Sequence, residues 1–397
     1  MRKIAATYIF PGNGSPLKNA VLLLDDDGTV LDLFEQGENF HEKAGVEFYS
    51  GILAPGFVNA HCHIEFSHLY HKLEENTGLA GFIGQINRLR HAREEEVQKA
   101  MQVADRRMWA EGIAAVSDVS NSNLSLSTKL KSKIRYHTFV EVFGVHPSRA
   151  ARAFEAAQAV QTEFVENGLS ASIVPHSPYS VSVPLFRKIE KNAISQQSIL
   201  SIHNQESEEE IQFLRDGTGP LADHIRNNLG IDTSQWNPNG KSSIETALNF
   251  LPLENRLLLV HNTFTHEQDI RELDARRSKE NTFLVLCPNS NLFIENELPP
   301  VSLFRQYDLN LSIGTDSLAS NHRLSILQEM ITLQERFPEI KLEELIGWAC
   351  RNGARALGFD KELGSFEKGK QPGVNLLTGV DMKNLKLTPN SRVKRLL

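Results

Sequence analysis

Ile52-Leu53-Ala54-Pro55-Gly56-Phe57-Val58-Asn59-Ala60-His61-Cys62-His63 is an apolar run that ends in two histidines one residue apart. Side chains on an extended strand alternate with period two, so both imidazoles face the same side and reach one metal ion. Further ligands for such an ion must come from the ends of other strands.

Outward from this run, short apolar stretches alternate with longer helical ones. The stretches are Gly56–Ala60, Ile113–Ser117, Ile134–Val142, Ala171–Val174, Ile199–Ile202, Leu257–Val260, Phe283–Leu286 and Leu309–Ile313. Amphipathic segments such as Glu94–Trp109, Pro184–Ala193 and Leu324–Glu335 fill the gaps. Eight strands alternating with helices predict an α/β fold, a (β/α)8 TIM barrel, whose catalytic groups sit at the carboxyl ends of the strands. A long gap between the fifth and sixth strands holds an insertion around Gly217–Lys241. The ends of the chain read differently. Val21-Leu22-Leu23-Leu24, the turn Asp25-Asp26-Asp27-Gly28 and Thr29–Phe34 predict short strands, as does Val374-Asn375-Leu376-Leu377 near the other end. Residues 1–55 and 364–397 are therefore expected to form one small composite β-sandwich beside a barrel of residues 56–363.

The strand ends supply what the opening pair needs. After the fourth strand comes His176, after the fifth His203 with Glu206 three residues on, after the sixth His261, and after the eighth Asp316. Imidazoles with one carboxylate suit Zn²⁺ first and Fe²⁺ next, rather than the oxygen-seeking Mg²⁺ or Ca²⁺. His61, His63, His203 and Asp316 make a shell for one such divalent ion. An open position there takes water, whose pKa the metal lowers, and Asp316 can accept the proton released. Glu206 lies far enough along its loop to turn into the pocket as general acid/base. His261 is placed to hydrogen-bond the attacking oxygen.

Composition narrows the partners. The chain has 397 residues, 40% hydrophobic and 23% charged, with a formal charge of −7, which fits a soluble globular protein with a small-molecule substrate. Nucleic-acid binders are usually basic, and no polybasic run suggests a membrane surface. No apolar run approaches the roughly 20 residues that span a bilayer, and the first ten residues lack a signal-peptide core. A cytoplasmic protein is expected. Its three cysteines, Cys62, Cys287 and Cys350, are too scattered for a disulfide framework. Cys62 points away from its histidine neighbours, and Cys287 reads as a structural thiol.

The pattern His61-x-His63, His203, His261 and Gly314-Thr315-Asp316-Ser317 resembles the amidohydrolase superfamily. His203-Asn204-Gln205-Glu206 resembles its aromatic aminohydrolase branch of deaminases and triazine hydrolases. Two-metal members commonly carry a lysine at the fourth strand end; Pro175-His176 stands here, which favours one metal. The resemblance implies that a metal-bound hydroxide attacks an amino-bearing ring carbon, Glu206 protonates the adjacent ring nitrogen, and ammonia leaves. It also implies a homodimer. His63-Ile64-Glu65-Phe66-Ser67-His68, Gly81-Phe82-Ile83 and Glu206-Ser207 with Phe213–Pro220 are similar to aminodeoxyfutalosine deaminases, which act on an adenine-bearing intermediate of menaquinone synthesis. By that resemblance Glu65 contacts a ribose, Phe82 faces the base and His176 binds substrate. Arg149 is a weaker candidate, for a substrate carboxylate. Methylthioadenosine, adenosylhomocysteine, guanine and chlorotriazines remain open as substrates. So do amide hydrolysis and, outside enzymes, a silent scaffold that has lost a ligand.

Overall fold

The structure, a computed structural model, describes residues 1–35, 45–233, 238 and 240–397. Eight parallel strands form two four-stranded sheets. The first holds β1 (Phe57–Cys62), β2 (Ile113–Ser120), β3 (Arg135–Val142) and β4 (Ser170–Pro175), each beside the next. The second repeats the order with β5 (Leu200–Asn204), β6 (Leu257–His261), β7 (Thr282–Leu286) and β8 (Asn310–Ile313). All residues of β1, β2, β5, β6 and β7 are buried. Layers cover both faces of such strands, which is why they read as unbroken apolar runs. Where the sheets adjoin, the N–H of His203 donates to the carbonyl of His176 at 2.9 Å. At the other edge, the N–H groups of Thr315 and Asp316 donate to the carbonyl of His61 at 2.9 and 3.1 Å.

Each predicted run is a strand, but the ends differ by up to three residues. β1, β5 and β6 continue one or two residues past the apolar run, because the backbone ladder does not stop where hydrophobicity does. The ladder therefore carries His61, His203 and His261 themselves, which fixes their backbones. Helices Glu94–Ala110, Ala150–Glu166, Val183–Gln196, Glu267–Arg276 and Ile326–Arg336 run between strands. Their apolar sides, including Met101, Met108, Phe164, Phe186, Ile189 and Met330, join the strand residues in one continuous core. The last of these helices starts two residues later than expected, since Ser325 is still extended.

Both ends of the chain meet in one seven-stranded mixed sheet. Within it Glu47–Pro55 runs parallel to Arg2–Ile9 and antiparallel to Val374–Thr378. Ile4, Ile9, Leu22, Leu24, Leu53, Phe366 and Leu376 give this sheet its own core. Gly56 joins it to β1, and a β-carbon there would fall 2.7 Å from Cβ of Ala114. Only glycine permits that approach. The expected insertion carries the short helix Pro220–Asp223, whose Leu221 and Ala222 pack on Phe213 and Tyr179; its residues 234–237 and 239 lie outside the described residues. No helix among the described residues is long and apolar enough to cross a membrane.

Candidate active site

The two histidines of the opening run end with Nε2 atoms 3.1 Å apart. His203, at the end of β5, brings its Nε2 to 3.3 Å from that of His63. Asp316 completes the set, its Oδ1 at 3.5 Å from Nε2 of His61 and 3.4 Å from that of His63. All four are buried. Ligand atoms held about 2.0–2.2 Å from one tetrahedral ion stand about 3.3–3.6 Å apart, so three of these spacings match a zinc-sized ion and the 3.1 Å between the two histidines falls just short of it. Burial holds the ligands in the right state. It drives His63 down to about 3 and lowers His61 and His203, leaving neutral rings with a lone pair to give. Nδ1–H of His203 donates to the carbonyl of His176 at 2.9 Å, which leaves Nε2 free for a metal. Burial opposes the charge on Asp316, but its contacts with His61, then with His63 and His261, keep its carboxyl well below the usual range.

The backbone steers these groups over the strand ends. Gln205, His261 and Asp316 all have left-handed φ, at +50°, +74° and +55°. Such angles cost a residue with a β-carbon about 1–3 kcal/mol and recur where function demands them. Gly314 lets β8 close on β1, since a β-carbon there would fall 2.8 Å from Cβ of His61. Asn59 and Thr315 then lock the two ends together: Nδ2 of Asn59 donates to Oγ1 of Thr315 at 2.7 Å, and Thr315 N–H donates back to Asn59 Oδ1 at 3.1 Å. Oδ2 of Asp316 accepts from the hydroxyls of Ser290 and Ser320, which turns Oδ1 toward the histidines.

Beside this set, Oε1 of Glu206 lies 3.5 Å from Nε2 of His261. Burial first, then the charges of Asp316 and Glu210, push the Glu206 carboxyl well above its ordinary value, which favours its acid form. Burial keeps His261 neutral, and Asn291 Nδ2 donates to its Nδ1 at 3.2 Å. That bond assigns the ring proton to Nε2, facing Glu206. A protonated acid and a neutral imidazole donor thus stand next to a site for a divalent cation.

Residues 52–394 match the family model described as amidohydrolase family. The chain belongs to the amidohydrolase family. It is similar to an adenosine deaminase of Helicobacter pylori, 28% identical over 370 residues that span 89% of this chain and 87% of the relative. Among solved structures, Helicobacter pylori aminofutalosine deaminase in complex with methylthio-coformycin superposes with a TM-score of 0.83 at 24% identity, covering 98% of this chain and 94% of that one. A Xanthomonas campestris adenosine deaminase with bound zinc gives 0.73 at 22% identity, covering 97% and 86%. These likenesses show that the protein has the amidohydrolase fold.

The three residues expected to bind substrate in this amidohydrolase have different surroundings. His176 is half-buried with its ring centroid 4.8 Å from that of His203, and its Nδ1 meets the hydroxyls of Ser177 and Ser180. Glu65, in the short helix Ile64–Leu69, accepts from Ser122 Oγ at 2.9 Å and from Asn121 N–H at 3.3 Å. Burial and the charge of Asp118 push it up to about 7. Phe82 stands farther out, half-buried against Leu69, Ile86 and Ala319. Arg149 is exposed on the short turn Pro147–Arg149. Burial raises both Cys62 and Cys287 well above the ordinary thiol range, so neither is a thiolate nucleophile.

Sequence reasoning missed Glu141, on β3. Its Oε1 lies 3.4 Å from Nδ1 of His203, and Asn121 Nδ2 donates to its Oε2 at 3.2 Å. Burial opposes its charge, yet the rings of His176, His203 and His63 hold it at about 2. Glu141, His176 and His203 could form a second cation group, but Nδ1–H of His203 is already given to a carbonyl. Glu141 therefore stands 3.4 Å from Nδ1 of His203 without taking its ring proton. A lone carboxylate among the apolar residues near the end of a parallel strand was the available signal.

A second missed device anchors the opening pair. Asp118, on β2, accepts the N–H of Ile64, the residue after His63, at 2.8 Å. It is paired with Lys129 at 2.6 Å, both side chains being wholly buried. Breaking a buried pair from one side leaves an uncompensated charge and costs about 3–5 kcal/mol. Lys129→Met is expected to lower unfolding free energy by that amount in urea titration; a loss under about 1 kcal/mol would mean that water already screens Asp118.

Proposed function

We propose that this amidohydrolase is a zinc-dependent hydrolytic deaminase of an aminated purine carried on a nucleoside-type substrate. The observation that carries the reading is the Glu206 carboxyl 3.5 Å from Nε2 of His261, beside the convergent His61, His63, His203 and Asp316. Zinc bound by those four residues lowers the pKa of a water toward neutrality. The residues do the rest. Asp316 accepts the proton that the water gives up, and His261 hydrogen-bonds the oxygen as it adds to the ring carbon. Glu206 gives its proton to the neighbouring ring nitrogen. With the proton from Asp316 the amino group leaves as ammonia, the hydroxyl proton of the intermediate returns to Glu206, and the ring keeps a carbonyl where the amine stood. His176, Glu65 and Phe82 hold the substrate, Glu65 at the sugar and Phe82 at the base.

Within that class the reading favours aminodeoxyfutalosine, supported by the segments around Glu65, Phe82 and Phe213 and by the aminofutalosine deaminase fold neighbour. It further takes the two parallel sheets as halves of one (β/α)8 barrel over residues 56–363. The terminal sheet becomes a small sandwich of residues 1–55 and 364–397. Ammonia release by zinc-replete protein tests the function on a panel of aminodeoxyfutalosine, methylthioadenosine, adenosylhomocysteine, adenosine and guanine. Aminodeoxyfutalosine is expected to give the highest kcat/KM. A higher value for another member replaces the substrate, and a panel with no ammonia at all overturns the deaminase.

A further inference from the structure

Glu210 is the third residue of the helix Glu208–Asp216, whose cap is Ser207. Ser207-Glu208-Glu209-Glu210 is the sequence of a capping box, in which the third-position glutamate ordinarily reaches back to the N–H of the cap residue. Ser207 does its share, its hydroxyl accepting the N–H of Glu209 at 3.1 Å. Glu210 reaches past the cap instead. Its Oε1 accepts the N–H of Gln205 at 3.1 Å and its Oε2 the N–H of Glu206 at 2.9 Å.

This clamp sits where the loop needs one. Gln205 is left-handed at φ +50°, and that turn swings Glu206 off the end of β5 into the site. The Gln205 side chain is held as well, donating to Asp269 Oδ2 at 2.8 Å and accepting from Thr265 Oγ1 at 2.8 Å. Glu210 is completely buried, so no water competes for the two N–H groups. A carboxylate is the side chain that offers two such acceptors at once, and buried N–H groups left without one are costly.

We propose that Glu210 is a positioning residue that fixes the carboxyl of Glu206 against His261, and the proposal rests on Glu206 being the proton carrier.

Glu210→Gln keeps the shape but replaces one acceptor oxygen with an NH2 that meets a backbone N–H. Misplacing a reacting group by about 1 Å costs up to about 100-fold. The variant is expected to lose about 10- to 100-fold in kcat, with KM within about twofold and zinc content unchanged. Ser207→Ala removes the helix cap, and with it the hydroxyl's bond to Glu295, and is expected to lower the unfolding midpoint while leaving kcat as in the wild type. Wild-type kcat in Glu210→Gln overturns the proposal; so does an equal kcat loss in Ser207→Ala, which would make the effect one of helix stability. If Glu210→Gln does not fold, Glu210→Asp keeps both oxygens on a shorter arm and is expected to show the same kcat loss, wild-type kcat there again overturning the proposal. Glu206→Gln measured alongside separates the two ideas. An active Glu206→Gln overturns the proton-carrier reading and this proposal with it, whereas a dead one beside a fully active Glu210→Gln overturns the positioning role alone.

Discussion

Replacing Glu206 with glutamine is expected to leave zinc in place and cut kcat for ammonia release by about 10²- to 10⁴-fold. The amide fills the same space and still meets Nε2 of His261, 3.5 Å away in the parent. It has no proton to transfer. Burial and the charges of Asp316 and Glu210 keep the native carboxyl in its acid form, ready for a ring nitrogen. Glu206 is not among the four convergent ligands, so zinc per chain, read by elemental analysis, should match the wild type. A variant with near-normal kcat would remove Glu206 from the mechanism; one that loses zinc would make it a ligand instead.

Loss of the metal should be as damaging, and it carries a second signature. Chelation is expected to abolish turnover and added zinc to restore it, while His203→Ala should bind zinc poorly and stay inactive. Neutral imidazoles and one carboxylate crowded within 3.1–3.5 Å repel one another until a cation sits between them. Metal binding therefore stabilises the native state, by about 4 kcal/mol at a thousandfold excess over Kd. The unfolding midpoint should fall on chelation in the wild type and hardly move in His203→Ala. An equal shift in both would place the ion elsewhere.

The strands and the convergent residues were legible because their signals are local. Period-two alternation puts His61 and His63 on one side, and a barrel puts strand ends on one face, so His203, His261 and Asp316 could be read from position alone. Glu141, Asn121, Asp118, Lys129 and Glu210 could not. Each is polar and works through a partner far off in the chain or out of register with its own motif. Asp118 meets Ile64 only once β1 and β2 are side by side, 54 residues apart in sequence. Glu210 looks like an ordinary capping glutamate until its oxygens are seen to pass the cap. Strand ends blurred for a related reason: hydrogen bonding carries β5 two residues beyond its apolar stretch, into His203 and Asn204.

Gln205, His261 and Asp316 turn left-handed at three separate strand ends, and this limits how the chemistry could be transplanted. A designer who copied only the side chains onto another eight-stranded scaffold would inherit relaxed loops that aim them outward. Each loop would have to travel with its braces: Glu210 for the first, Asn291 for the second, Ser290 and Ser320 for the third. The portable unit is therefore the braced turn. Chains diverging toward new substrates are most constrained where the turns are pinned.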